Sequence, residues 1–405
     1  MGEAVITPKM GSRVGFVGRL GGWCLLVVGA SLLLSACHGG PHTEFVVDST
    51  ADIGDASPGD GECATTTAGE CTLRAAVEEA NALVGTATTI VLDPVETYHV
   101  DPLPPVTGEV SILGMDANIM FPRLEGPAPP SDQDPGFDVT TGKLTLRSLT
   151  IWGGAPAVAV DSSTKVLDST LTYDTEREAY ATGPAGIHQT GGELTVVRST
   201  ITNRPVAAVL IEGGSTTIAG STIHHNQIPS GSGAIRQLAG DAHILLSTIA
   251  DHVFTQDVWA CHINCFWVEW NLEGNGIQHE GGSMRITAST LTQNEHAISS
   301  TGGLVLESSV VAMNARSDAC EGTPPTSMGY NAVDVPSCVD GSVVGDLPDT
   351  NPGLGPLADN GGPTLTHLPG ADCVPRRRHP HRRRPLRGRQ PRRPALALTT
   401  GFGGL

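Results

Sequence analysis

The sequence predicts an all-β fold, a right-handed parallel β-helix (solenoid) with a short N-terminal capping helix. One observation is a strand-like apolar segment ending in Ser-Thr-Ile, or a near variant, that returns about every twenty residues. A second is a shorter apolar strand and a glycine pair standing ahead of it in fixed order. The third is composition: 50 glycines and only 4% aromatic residues in 405, which suits many turns and thin aliphatic cores. Self-similarity at such a period is the mark of a solenoid, in which each unit buries its apolar face against its neighbours.

The chain opens with Lys9, Arg13 and Arg19 and an uncharged apolar run over residues 21–34. A run of that length falls short of the ~20 helical residues a bilayer core needs, and reads as an export signal, residues 1–36. It closes on Leu34-Ser35-Ala36-Cys37, which resembles the lipobox of bacterial lipoproteins. The resemblance implies diacylation of Cys37 as the new N-terminus, with residues 37–43 as linker. Two or more acyl chains anchor stably where one does not. His38, where an aspartate would retain the protein at the inner membrane, implies the outer membrane.

Residues 44–100 form the expected cap and first turns of the helix. Residues 45–83 run through an extended strand, an acidic turn with Asp52, Asp55, Asp60 and Glu62, a cysteine pair and Cys71-Thr72-Leu73-Arg74-Ala75-Ala76. This resembles the CSLREA module of bacterial repeat proteins, keeping Cys, Leu, Arg and the final Ala. Leu73, Ala76, Val77, Ala80 and Leu83 fall at helical spacing, so residues 73–83 are expected to cap the first open strand edges. The acidic turn offers hard oxygen ligands, and Asp52, Asp55 and Asp60 are the expected positions if calcium binds; as a solvated loop the turn needs none. No other cofactor is expected.

Residues 101–370 carry the repeat. It reads LTLRSLTI (144–151), KVLDSTLT (165–172), LTVVRSTIT (194–202), TTIAGSTIH (216–224), HILLSTIA (243–250), MRITASTLT (284–292) and LVLESSVV (304–311). The marking serines, Ser148, Ser169, Ser199, Ser221, Ser247, Ser289 and Ser308, are 21, 30, 22, 26, 42 and 19 residues apart. The longest interval is two units, or one with an insertion. Ahead of the marks stand strands such as PAVAV (156–160), AAVLI (207–211) and NGIQH (275–279), followed by Gly191-Gly192, Gly213-Gly214 and Gly281-Gly282. Paired glycines supply positive φ for the turns. One circuit is therefore strand, glycine turn, strand, polar turn. Asn203, Asn226, Asn294 and Asn314 follow the marks and are expected to bond along the stack as a ladder.

Residues 251–275 interrupt the pattern with Phe254, Trp259, Phe266, Trp267 and Trp270, and with Cys261 and Cys265 around His262. Trp259, Trp267 and Trp270 are the candidate binding residues, since indole faces suit sugar rings and protein hot spots; filling a small stapled core is the alternative. Zinc at this site lacks a second ligand pair. Cys63 with Cys71, Cys261 with Cys265 and Cys320 with Cys338 are close pairs in an exported chain and read as disulfides. His224, His225 and His279 read as scattered turn or surface residues.

Residues 351–370 (NPGLGPLADNGGPTLTHLPG) look like the closing segment of choice-of-anchor Q proteins, surface β-helices. Residues 371–405 then hold ten arginines against one acid, in a chain of net charge −18. This Arg/Pro-rich stretch reads as a disordered tail from a shifted frame of GC-rich DNA, so neither it nor Cys373 enters a functional argument, and no nucleic-acid partner is expected.

These features together lead to a noncatalytic, monomeric surface lipoprotein that displays loops for adhesion to a glycan or protein. The alternative is a polysaccharide lyase or glycoside hydrolase on the same scaffold, which needs clustered carboxylates on neighbouring rungs. The densest acidic group, Asp174, Glu176 and Glu178, lies in one loop, and no catalytic residue is assigned.

Overall fold

A computed structural model of the chain describes residues 40–67, 69–121, 134–173, 185–228, 232–261 and 265–370, with backbone alone for 253–261 and 265–273. The segment expected to be an export signal, with Cys37, the loop bearing Asp174, Glu176 and Glu178, His262, and the arginine-rich stretch from 371 onward lie outside the described residues.

Residues alternate in and out along each strand, and the same alternation returns one circuit later, so like side chains meet and the chain coils as a parallel β-helix. Val196 sits between Val166 and Ile218, and Ile218 beneath Ile244, in unbroken parallel register. The column runs through Ile90, Ile112, Leu146, Val166, Val196, Ile218, Ile244, Ile286 and Leu306, each no more than 1% exposed. Each such side chain contributes roughly 1.5–3 kcal/mol by leaving water. A second column climbs from Ile151 through Leu171, Ile201, Ile223, Ile249 and Leu291 to Val311. A third, in an eight-stranded sheet, runs from Phe137 through Val158, Ile187, Val209, Ile235, Ile277 and Ile298 to Cys320.

From Val158 onward each rung holds three strands where the sequence pattern suggested two. Glu193–Val197 and Thr200–Thr202 are separate because Arg198 adopts φ 48°. The same left-handed bend recurs at Asp168, Leu246 and Ala288, with φ of 51°, 51° and 50°, and at Gly220. It flips the in-out phase, so Val196 and Ile201 both face the core although they stand an odd number of positions, five, apart.

That bend also corrects two of the marks. Ser148 and Ser308 are themselves bend residues, with φ of 53° and 50°. The stacked position is the next one, Leu149 and Ser309. There a ladder of hydroxyls ties the rungs: the backbone N–H of Ser169 donates to Ser199 Oγ at 3.1 Å, and those of Ser199, Ser221, Ser247 and Ser289 donate at 3.2 Å to Ser221, Ser247, Ser289 and Ser309. Asn331 ends it by accepting from the Ser309 N–H at 3.0 Å. These buried donors would otherwise be unsatisfied.

The capping helix, α1, spans Leu73–Ala82. Thr72 caps it by accepting the Ala75 N–H at 3.1 Å, and Leu73, Ala76, Val77 and Ala80 are fully buried at the head of the core. The expected disulfides Cys63–Cys71 and Cys320–Cys338 are both formed, one beside the cap and one at the last rung.

Candidate functional site

The 42-residue interval is one rung with an insertion, because Thr248 pairs directly with Thr290. Residues Val253–Cys261 and Cys265–Glu273 form an antiparallel hairpin, and the Gly274 N–H donates to His252 O at 3.0 Å where it leaves and rejoins the rung. Register sets Trp259 opposite Trp267, Gln256 opposite Trp270, and Cys261 opposite Cys265. Pleat alternation therefore puts positions 259 and 267 on one side of the hairpin and 270 on the other. Two of the three candidate tryptophans are brought together and the third is not.

The hairpin rises from a turn column that the serine marks did not reveal. His225, Asp251, Gln293 and Met313 stack at φ 49–59°, and with Ala315 they line a cleft of about 330 Å³. Asn203 belongs to this bend column, at φ 57°, rather than to the asparagine ladder. In the ladder, Asn226 accepts the Arg204 N–H at 3.0 Å, the Asn226 N–H donates to His252 Nδ1 at 3.2 Å, and Asn314 accepts the Asn294 N–H at 3.1 Å. His252 thus stands where its neighbours above and below carry asparagine.

Accepting at Nδ1 leaves the His252 proton on Nε2, which is buried without a hydrogen-bond partner. Burial, with His224 and His225 nearby, pushes its pKa down to about 3. Burial and the neighbouring His225 likewise push His224 down to about 4, and their Nδ1 atoms approach to 2.6 Å. Burial raises the Asp251 carboxyl, while His225 and His367 oppose the rise.

His367 comes from the closing segment, where Leu354–Ala358 and Thr366–Pro369 form a second antiparallel hairpin. That hairpin folds back onto the rungs: Thr222 Oγ1 donates to Leu365 O at 2.6 Å, and Thr364 Oγ1 donates to Gly220 O at 3.3 Å. His367 is buried, with Nδ1 donating to Gly355 O at 2.7 Å and Nε2 unpartnered.

The histidines read as scattered are thus partly gathered, at His224, His225, His252 and His367. His279, read with them as a turn or surface residue, lies fully buried in an inner column, its Nδ1 3.1 Å from Gln237 Oε1. A signal for His252 existed: it lies 26 residues after Asn226, the interval that separates Ser221 from Ser247. Nothing local announces His367.

The acidic turn near the cap is bonded into the protein. Asp52 pairs with Arg74 at 2.7 and 2.9 Å, which with the Asp52 charge raises the guanidinium's pKa. Asp55 accepts the Ser57 and Ala64 N–H groups, and Asp60 accepts that of Glu62. Among the described residues, no three His, Cys, Asp or Glu side chains converge on a metal-binding centre. On the outer surface of the eight-stranded sheet, burial and the charge of Asp161 hold the Asp138 carboxyl above its ordinary range. Asp161 lies one rung on, two residues past Ala159, the register partner of Asp138.

Compared with known proteins, the chain matches no family model and no curated protein sequence.

Proposed function

We propose that the protein is a noncatalytic, lipid-anchored surface rod that meets a glycan or protein through its inserted hairpin. One observation carries the reading. An antiparallel hairpin leaves an otherwise parallel coil and rejoins it at the same turn, and its register sets Trp259 opposite Trp267. Tryptophans at two positions opposite one another in register suit recognition, since indoles offer large contact area at small entropic cost. The resemblance of residues 34–37 to a lipobox supports lipid anchoring through Cys37.

The test is a glycan array probed with the full chain and with Trp259→Ala, Trp267→Ala and Trp270→Ala. Loss of signal in the first two with retention in the third fits the paired face. Unchanged binding in all three removes the site.

A hydrolytic or lyase reading is favoured by Asp138 and Asp161 alone. One rung and two residues put their Cα atoms about 8 Å apart, and a carboxyl with a raised pKa facing a second carboxyl is the kind of pairing that glycosidic cleavage uses. Release of reducing ends or unsaturated sugars by the protein, abolished by Asp138→Asn, would establish it. No release from any polysaccharide tried would end it.

A further inference from the structure

We infer that the closing hairpin, Leu354–Ala358 with Thr366–Pro369, is an acid-released clasp over the rung strands Thr222–His224 and Thr248–Ala250. Among the described residues its ties to these strands include two threonine hydroxyls, Thr222 on Leu365 O and Thr364 on Gly220 O, with the ring of His367 buried beside them.

Four imidazoles gather at its edge, His225 exposed and His252 and His367 buried. His224 and His225 come from the covered rung, His252 from the next turn, and His367 from the clasp itself. One acid, Asp251, is set against them. The turn column continues through the uncharged Gln293 and Met313, whose N–H is accepted by Asp334. Among the described residues, Asp334 is the next charge along this column.

The 2.6 Å contact between the His224 and His225 Nδ1 atoms requires that one donates and the other accepts. That contact cannot survive when both rings are protonated, because two N–H donors then face each other. Charging the cluster places several like charges beside the closing segment. His225 is already exposed; moving the segment admits water to His224 and His367, whereas His252 is locked inside the ladder. The clasp therefore opens before the rungs do, uncovering Thr222 and Thr248, both now buried.

Hydrogen–deuterium exchange of the full chain, corrected for intrinsic rates, tests this at pH 7.5 and pH 5. At the lower pH we expect about a tenfold loss of protection in residues 354–369, the equivalent of ~1.4 kcal/mol, with residues 194–218 unchanged. The variant His224→Gln/His225→Asn should keep the clasp protected at both values. Asparagine suits the left-handed φ of residue 225, since Asn203 adopts it one rung earlier. Equal protection of 354–369 in the wild type at both pH values overturns the inference. So does simultaneous loss in clasp and rungs, or acid opening that persists in the variant.

Discussion

At the residue scale, the rungs are tied by small polar groups whose value lies in what is left if they are removed. Ser221 Oγ accepts the Ser199 N–H and donates to Ala219 O at 3.0 Å. Ser221→Ala strands a buried donor, so it should lower the unfolding free energy by about 1–3 kcal/mol, read as a shift of the urea midpoint. His252 gives a pH dependence whose sign is fixed. Its ring protonates near 6.5 when unfolded and near 3 when folded, so above 6.5 both states are neutral and stability is whole. Below that the unfolded chain takes up a proton the folded one refuses, and stability falls by up to ~1.4 kcal/mol per pH unit as the pH drops towards 3. His252→Asn, which completes the asparagine ladder, should flatten that part of the urea-midpoint profile.

At the scale of the element, the glycine turns stack as closely as the strands. Gly214 has φ 75°, and a Cβ there would lie 2.4 Å from Gly192 O in the turn before it. Gly214→Ala meets both the backbone penalty of about 1–2 kcal/mol and that clash, and thermal melting should show a loss larger than the penalty alone. The glycine pairs and apolar alternation made the stack readable from the chain alone. The third strand of each rung was missed, although the spacing recorded it: the core residues Val196 and Ile201, Ile218 and Ile223, and Ile244 and Ile249 are separated by five positions, an odd step that an unbroken strand cannot bury on one face. The histidine cluster was less legible. Three of its members follow from the rung period, but His367 arrives by a fold-back spanning over 140 residues, marked by Thr222 and Leu365. No local pattern encodes that contact.

At the scale of the whole molecule, a coil of this kind is held mostly by nearest neighbours, and its ends are its weak points. Helix α1 covers one end and the Cys320–Cys338 bond ties the other. Replacing both cysteines by serine should cost roughly 3 kcal/mol by loosening the chain between them. Hydrogen exchange should locate the loss in residues 298–339, leaving the middle rungs protected.

Because residues 252 and 274 are already hydrogen-bonded, whatever lies between them is an interchangeable head on a fixed shaft. Excising 253–273 and joining the cut with a short glycine bridge should leave the melting temperature nearly unchanged while removing the glycan or protein binding proposed for the hairpin. An unrelated hairpin could be inserted at the same junction to redirect the rod, and a lineage diversifying its targets would need to vary little else.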